Sequence, residues 1–405
     1  MCAQAPDAFR NCRNVKLSIE RRTGGTKRTY YASYLPPFGS LKMNQPLRAR
    51  QFFKQGVPTV LTGAVFGFSM AAAIAQTLQI QHAGPPPAAA AARQSGVAMR
   101  DADWQDAARQ RLVPVRIYLP AALETPSTSA SAAKLPLVVF SHGLGGSRFG
   151  YSHLGQHLAQ NGFVALHLQH AGSDRAVWQG GPLSVLGNVQ SAASEANALA
   201  RAQDVSFVIT TLLADTEIGS RIDPCAIAVA GHSYGANTAM LVAGASVERD
   251  GKWISFTDAR IKAAILLSAP PFHGEGDQAA VLRGIQLPTL HVTGTEDVIR
   301  VPGYGSDVTD RIAVFRDTPA APPGKKYLAV FEGGEHSVFT DRTRSERALA
   351  IKSATRDLAL AFLRATLQSK SGAMEAALAL AKPLLVEPER LLARRLEAHF
   401  RQNSP

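Results

Sequence analysis

A chain of 405 residues, 46% hydrophobic and 18% charged, is long enough to bury a sizeable core and too apolar for compositional disorder. Its net charge of +12 would suit a polyanion binder, but residues 1–75 alone hold 11 Lys/Arg against 2 Asp/Glu. The remaining body, with 32 basic and 29 acidic residues and no basic run interleaved with aromatics, lacks the clustered cations that phosphate binding needs, so no nucleic-acid partner is expected.

Residues 1–42 carry Cys2, Cys12 and scattered charge without a period, and read as an over-extended, unstructured start. From Met43, the charges of Arg48, Arg50 and Lys54 lead into an apolar stretch over 57–74 that closes on Ala73-Ile74-Ala75. These are the three parts of an export signal over 43–75, which implies a periplasmic or secreted protein with no membrane span after processing. Because 18 residues lie near the spanning minimum, an anchor formed by 57–74 is the alternative. The run Ala49-Arg50-Gln51-Phe52-Phe53-Lys54 resembles a twin-arginine motif with Ala49 in place of the first Arg, which leaves the export route open. Cys225 would then be the sole cysteine of the processed chain, and it is expected in the core.

Residues 76–108, with Pro85, Pro86, Pro87 and five alanines at 88–92, read as a low-complexity linker. A catalytic domain is expected over 109–370. Its strand candidates are 112–119, 136–141, 163–169, 225–230, 261–268, 288–293 and 326–331, short apolar runs that suit strands buried on both faces. Helices are expected at 151–160, at 195–213 with Leu199, Ala202, Val205, Val208, Ile209 and Leu212 on one stripe, from Tyr234, and at 345–367 with Leu349, Ile351, Leu358, Leu360 and Phe362. The alternation implies an α/β fold with a mostly parallel sheet. Beyond it, 371–405 read as a helical tail, with helices at 374–381 and 387–400 and a solvated basic face from Arg390, Arg394 and Arg395.

The chemistry begins where the run 225–230 meets Gly231-His232-Ser233-Tyr234-Gly235, a G-x-S-x-G pentad between strand and helix. Such a turn closes only if its flanks are nearly side-chain-free, and it lifts the Ser233 hydroxyl clear of the sheet. A hydroxyl needs a base, and the base an orienting acid. Strand 288–293 ends in Gly294-Thr295-Glu296-Asp297, where Asp297 is preferred over Glu296 because G-[ST]-x-D resembles the acid loop of serine hydrolases. Strand 326–331 ends in a loop that delivers His336 after Gly333 and Gly334, which completes the order Ser, Asp, His. Strand 136–141 runs into His142-Gly143-Leu144-Gly145-Gly146, so the backbone N–H groups of Leu144 and Tyr234 are the expected oxyanion donors. The loop 171–194 carries Asp174, Arg175 and Trp178 as substrate-pocket candidates, and 247–260, with Trp253 and Phe256, is a second lid candidate. No metal and no cofactor are expected, since His167 and His170 have no acidic or thiol partners in sequence.

From about Leu112 to Leu367 the chain resembles an α/β-hydrolase: a mostly parallel twisted sheet flanked by helices on both faces, with loop or small lid insertions. The phrases Phe140-Ser-His-Gly-Leu-Gly-Gly-Ser-Arg148, His170-Ala-Gly-Ser-Asp174 and Gly231-His-Ser-Tyr-Gly235 resemble bacterial relatives of platelet-activating-factor acetylhydrolase and dienelactone hydrolase. Dienelactone hydrolases use a Cys nucleophile where this chain has Ser233, which shifts the implied activity toward hydrolysis of small-molecule carboxylic esters of short or medium acyl length, lipid acetyl esters among them. The alternatives are lactone, amide or peptide cleavage on the same fold, or a non-catalytic binding protein. Oligomeric state has no signal in the sequence.

Overall fold

The computed structural model describes residues 96–123, 134–272, 274–301, 304–321 and 325–391. The start at 1–42, the signal at 43–75 and most of the linker lie outside them, as does most of the helix expected at 387–400. Among the described residues, eight strands form one sheet: β1 (Val97–Asp106), β2 (Arg111–Pro120), β3 (Leu135–Ser141), β4 (Val164–Leu168), β5 (Ile222–His232), β8 (Ile261–Leu267), β9 (Thr289–Glu296) and β12 (Lys326–Glu335). Their spatial order is β1-β2-β4-β3-β5-β8-β9-β12. Only β2 runs against its neighbours; from β4 to β12 every pairing is parallel.

Strand alternation sorts the apolar residues between two cores. Leu137, Val139, Ile227 and Val229 face Val205, Ile209 and Met240 of α3 (Glu195–Ala214) and α4 (Tyr234–Ala243). Val138, Phe140, Ala228 and Ala230 face Leu154, Leu158, Leu358 and Phe362 of α1 (Ser152–Gln160) and α7 (Glu346–Leu367). Ser194 and Ser345 cap α3 and α7 by accepting from the N–H groups of Asn197 and Ala348. The remaining elements are α2 (Pro182–Ala192), the hairpin β6 (Ser246–Arg249) and β7 (Lys252–Ser255), α5 (Gln278–Leu282), the hairpin β10 (Ile299–Val301) and β11 (Tyr304–Ser306), α6 (Val308–Asp317) and α8 (Ala373–Ala381).

Several expectations need correction. The linker was extended too far: residues 97–106 are β1, an edge strand whose exposed Asp101 and Asp103 hide its period from a search for apolar alternation. Asp101 instead pairs across the strand with Arg116 at 2.7 Å. Within 171–194, residues 182–192 form α2, which leaves Leu183 and Leu186 exposed and so shows no core stripe, although Pro182 at its first turn marks the start. Leu349 of α7 is 56% exposed, while Ile351, Leu358 and Phe362 of the same helix are buried. Cys225 is half-buried rather than in the core. The second lid candidate, 247–260, contains the hairpin β6–β7, whose Arg249 binds Glu195 at the start of α3 and Glu275 in the loop after β8.

The first part of the supposed tail belongs to the body. Met374 of α8 is fully buried in the core shared with α7, and the Val386 N–H donates to the Val330 carbonyl of β12 at 2.8 Å. Met374→Ala should therefore destabilise the fold by about 2–5 kcal/mol, the range for emptying a buried site of this size. Urea denaturation would read it, and an unchanged midpoint would mean that α8 is dispensable.

Candidate active site

Strand β5 ends at His232, and the next residue, Ser233, adopts φ 55°, ψ −123° before α4 begins at Tyr234. A non-glycine residue held there costs about 1–3 kcal/mol, so the surroundings must impose it. They do so by close approach. A Cβ on Gly231 would be driven into the carbonyl of Gly235, and one on Gly235 into the carbonyl of Ser141 at the end of β3. The Ser233 N–H is fixed to the Leu267 carbonyl of β8 at 2.9 Å, and Leu267 is the last residue of that neighbouring strand.

Two further loops deliver side chains to this turn. After β9 comes Asp297, with no exposed side-chain surface; after β12 comes His336, 24% exposed. His336 Nδ1 lies 2.7 Å from Asp297 Oδ1, and His336 Nε2 lies 2.9 Å from Ser233 Oγ. A carboxylate only accepts, so Nδ1 carries the proton and Nε2 faces the hydroxyl as an acceptor. Burial would raise the Asp297 carboxyl, but the hydrogen bond from His336 and the nearby Arg311 guanidinium, 3.6 Å from Oδ2, outweigh it and hold the group well below the usual carboxylate range. Thr293 donates to the other oxygen at 2.7 Å. The competing acid, Glu296, is exposed at the end of β9.

The loop after β3 passes beside Ser233, since a Cβ on Gly143 would lie 3.4 Å from the Ser233 Cβ. The backbone N–H groups of Leu144 and Tyr234 make no hydrogen bond among the described residues. Gly145, at φ 69°, donates to Ser173 and accepts from Trp178 Nε1 at 3.0 Å. Trp178 therefore lies against this loop, its indole filling the space where a Gly145 side chain would stand. Asp174 is used otherwise: its carboxylate caps the turn Arg175–Trp178 through the Ala176 N–H and accepts from Gln169. Arg175 is exposed, above the Phe149 ring.

Sequence reading missed the polar cluster beneath this loop. Arg201 of α3 has no exposed surface, and it donates to the His142 carbonyl at 2.5 Å, to Ser173 Oγ at 2.8 Å and to Thr238 Oγ1 at 2.9 Å. Its guanidinium also lies 4.4 Å from the centre of the Tyr234 ring. Burial lowers its pKa to about 10, so it stays a cation at neutral pH. Three residues on, Asp204 binds Arg109, Arg111 and His170 Nδ1, and His170 Nε2 meets Ser141 Oγ at 2.9 Å. The available signal was two opposite charges on the stripe that carries Val205 and Val208, a spacing that points both into the core.

The sheet order, the crossover helices on both faces and a serine at the turn after the fifth strand make this an α/β-hydrolase fold. Residues 108–179 match the family model of platelet-activating factor acetylhydrolase, isoform II. That match includes β3, its glycine loop and His170, and stops before the serine turn. Among solved structures, a ferulic acid esterase from Streptomyces cinnamoneus is similar at 20% identity over 68% of this chain and 90% of its own, with a TM-score of 0.47. No curated protein sequence matches.

Burial pushes His170, His232 and His291 down to about 3, His167 to about 4, and His142 well below its usual value, so all five are neutral in the folded protein. In the unfolded chain each titrates near 6.5. Between about pH 3 and 6.5 the unfolded state thus binds more protons, and stability rises with pH across that window and is lost as pH falls below about 6.5. Each group contributes up to ~1.4 kcal/mol per pH unit. Urea midpoints should fall steeply from pH 7 to pH 5, above the carboxylate range; a flat profile there would refute the neutral-histidine account.

Proposed function

We propose that this chain is a serine hydrolase of carboxylic esters, with Ser233 as nucleophile, His336 as general base and Asp297 as the group that orients it. The observation that carries this reading is the hydrogen-bonded line Ser233 Oγ–His336 Nε2 and His336 Nδ1–Asp297, set at a backbone turn that only close packing can hold. Ester hydrolysis is further supported by the acetylhydrolase family match over 108–179.

In the mechanism this geometry suits, Nε2 takes the Oγ proton as Oγ attacks the ester carbonyl carbon. The resulting oxyanion is met by the N–H groups of Leu144 and Tyr234. Collapse breaks the bond to the alcohol, which leaves with the proton held on His336. Water, deprotonated by His336, then attacks the acyl-serine carbonyl; the bond to Ser233 Oγ breaks, His336 returns the proton to Oγ, and the acid departs. The depressed pKa of Asp297 keeps it ionised throughout the neutral range, so it remains an acceptor for the imidazolium that forms.

The site suits neutral, apolar acyl groups: Leu144 is part of the glycine loop, Trp178 packs against it, and the nearest charged pocket candidates are diverted to the turn and to solvent. Ser233→Ala should abolish both ester turnover and labelling by a fluorophosphonate probe while preserving the fold. His336→Gln should lower kcat by about 10³-fold or more, and Asp297→Asn should cost far more than Glu296→Gln. p-Nitrophenyl acetate or butyrate should be cleaved far faster than the matched anilide. Wild-type protein that resists the probe, or that prefers the anilide, would overturn the assignment.

Export belongs to the same reading and rests on the signal-like pattern at 43–75. Cleavage near Gln76 would remove Cys2 and Cys12 and leave Cys225 as the sole cysteine of the processed chain. Mass spectrometry of the cell-derived protein should give one N-terminus near Gln76. An intact, membrane-embedded N-terminus would favour the anchor instead.

A further inference from the structure

Building on the assignment of His336 as the base, we propose that Tyr151 and His232 are positioning residues: together they tie the main chain of the base to the glycine loop that holds the Leu144 N–H. The triad contacts alone do not fix where the base sits. They restrain the imidazole ring of His336 but leave its backbone to the loop that follows β12. A second bond acts on that backbone, since His232 Nε2 lies 2.9 Å from the His336 carbonyl oxygen.

The bond directions follow from chemistry. A carbonyl only accepts, so His232 Nε2 carries the proton and Nδ1 is left as an acceptor. Nδ1 lies 2.8 Å from Tyr151 Oη, which must donate to it. The tyrosine oxygen is then free to accept, and the Gly143 N–H donates to it at 3.4 Å. The chain of bonds runs Gly143 N–H to Tyr151, Tyr151 to His232, and His232 to the His336 carbonyl. Every side-chain member is buried, with Tyr151 5% and His232 3% exposed, so water does not compete for these bonds.

The relay is also built at a cost. Tyr151 occupies the left-handed region at φ 60°, ψ 29°, immediately before α1. From the same segment the Ser152 N–H donates to Asp341 at 2.8 Å and His153 Nε2 meets the Phe339 carbonyl at 3.0 Å, so 151–153 holds the base loop at three points, counting the route through His232. His232 occupies the first variable place of the G-x-S-x-G pentad, and its ring centre lies 4.8 Å from that of His336. A group there reaches base and glycine loop without touching the reacting atoms.

The test is a double-mutant cycle on the purified chain with p-nitrophenyl butyrate, using Tyr151→Phe, His232→Leu, the double variant and His232→Gln. Misplacing a reacting group by a fraction of an ångström lowers kcat more than it weakens substrate binding. Tyr151→Phe should lower kcat about 10-fold and His232→Leu about 100-fold, with KM within about 2-fold and complete, though slower, fluorophosphonate labelling. The double variant should be no worse than His232→Leu, because residues acting through one chain of bonds are non-additive. His232→Gln, which keeps an N–H donor for the His336 carbonyl, should recover much of the lost kcat. A Tyr151→Phe variant with wild-type kcat, or losses that multiply in the double variant, would overturn the relay, and Tyr151→Phe decides alone if His232→Leu does not fold. Wild-type protein without turnover or labelling would instead overturn the esterase assignment.

Discussion

Everything at this site depends on one steric constraint, the near-contact of three backbones at Gly231, Gly235 and Ser141. Without side chains at the two glycines, the turn after β5 closes against the end of β3, and Ser233 is forced into a conformation it would not choose. The same approach brings the glycine loop after β3 alongside the Ser233 turn. A strained residue is stable only when its neighbours leave no alternative, and here the neighbours are carbonyl oxygens at the start of α4 and the end of β3.

The interior beneath that turn is polar, which is unusual and expensive. Arg201 satisfies the loop from below while its charge lies over the Tyr234 ring, and Asp204, three residues along α3, gathers two arginines and a neutral histidine. A buried charge of this kind tolerates few alternative packings, since each donor left without an acceptor costs about 1–3 kcal/mol. The network thereby restricts the glycine loop to one arrangement, which an apolar core of similar volume would not do. The loop's own glycines supply no such restriction.

How much of this was legible in the sequence follows from which forces are local. Seven of the eight strands of the sheet were visible because a strand buried on both faces is a short apolar run bounded by turns, as at 261–267 and 289–293. β1 was not, because an edge strand held by a cross-strand Asp101–Arg116 pair has no apolar signature. Ser233, Asp297 and His336 stand out in the sequence because each follows a strand by a few residues and the sheet aligns those ends. Arg201, Tyr151 and His232 do not, because, Gly143 apart, their partners lie 28 to 104 residues away. The role of Asp174 was misread for the opposite reason: its partners are local, within five residues, and a capping carboxylate looks like any loop acid.

The two edges of the sheet are closed by different means. On one side, β1 presents the carboxylates of Asp101 and Asp103; on the other, Leu385 forms an antiparallel bridge with Phe331 and Val386 donates to Val330, so the chain's own C-terminal segment occupies part of the free side of β12. An uncovered β12 would be an apolar edge with free backbone donors, the kind of surface on which another molecule's strand can grow. The segment after α8 thus acts as a guard against self-association, and clipping it would show first as loss of solubility at high concentration, with the site itself unchanged.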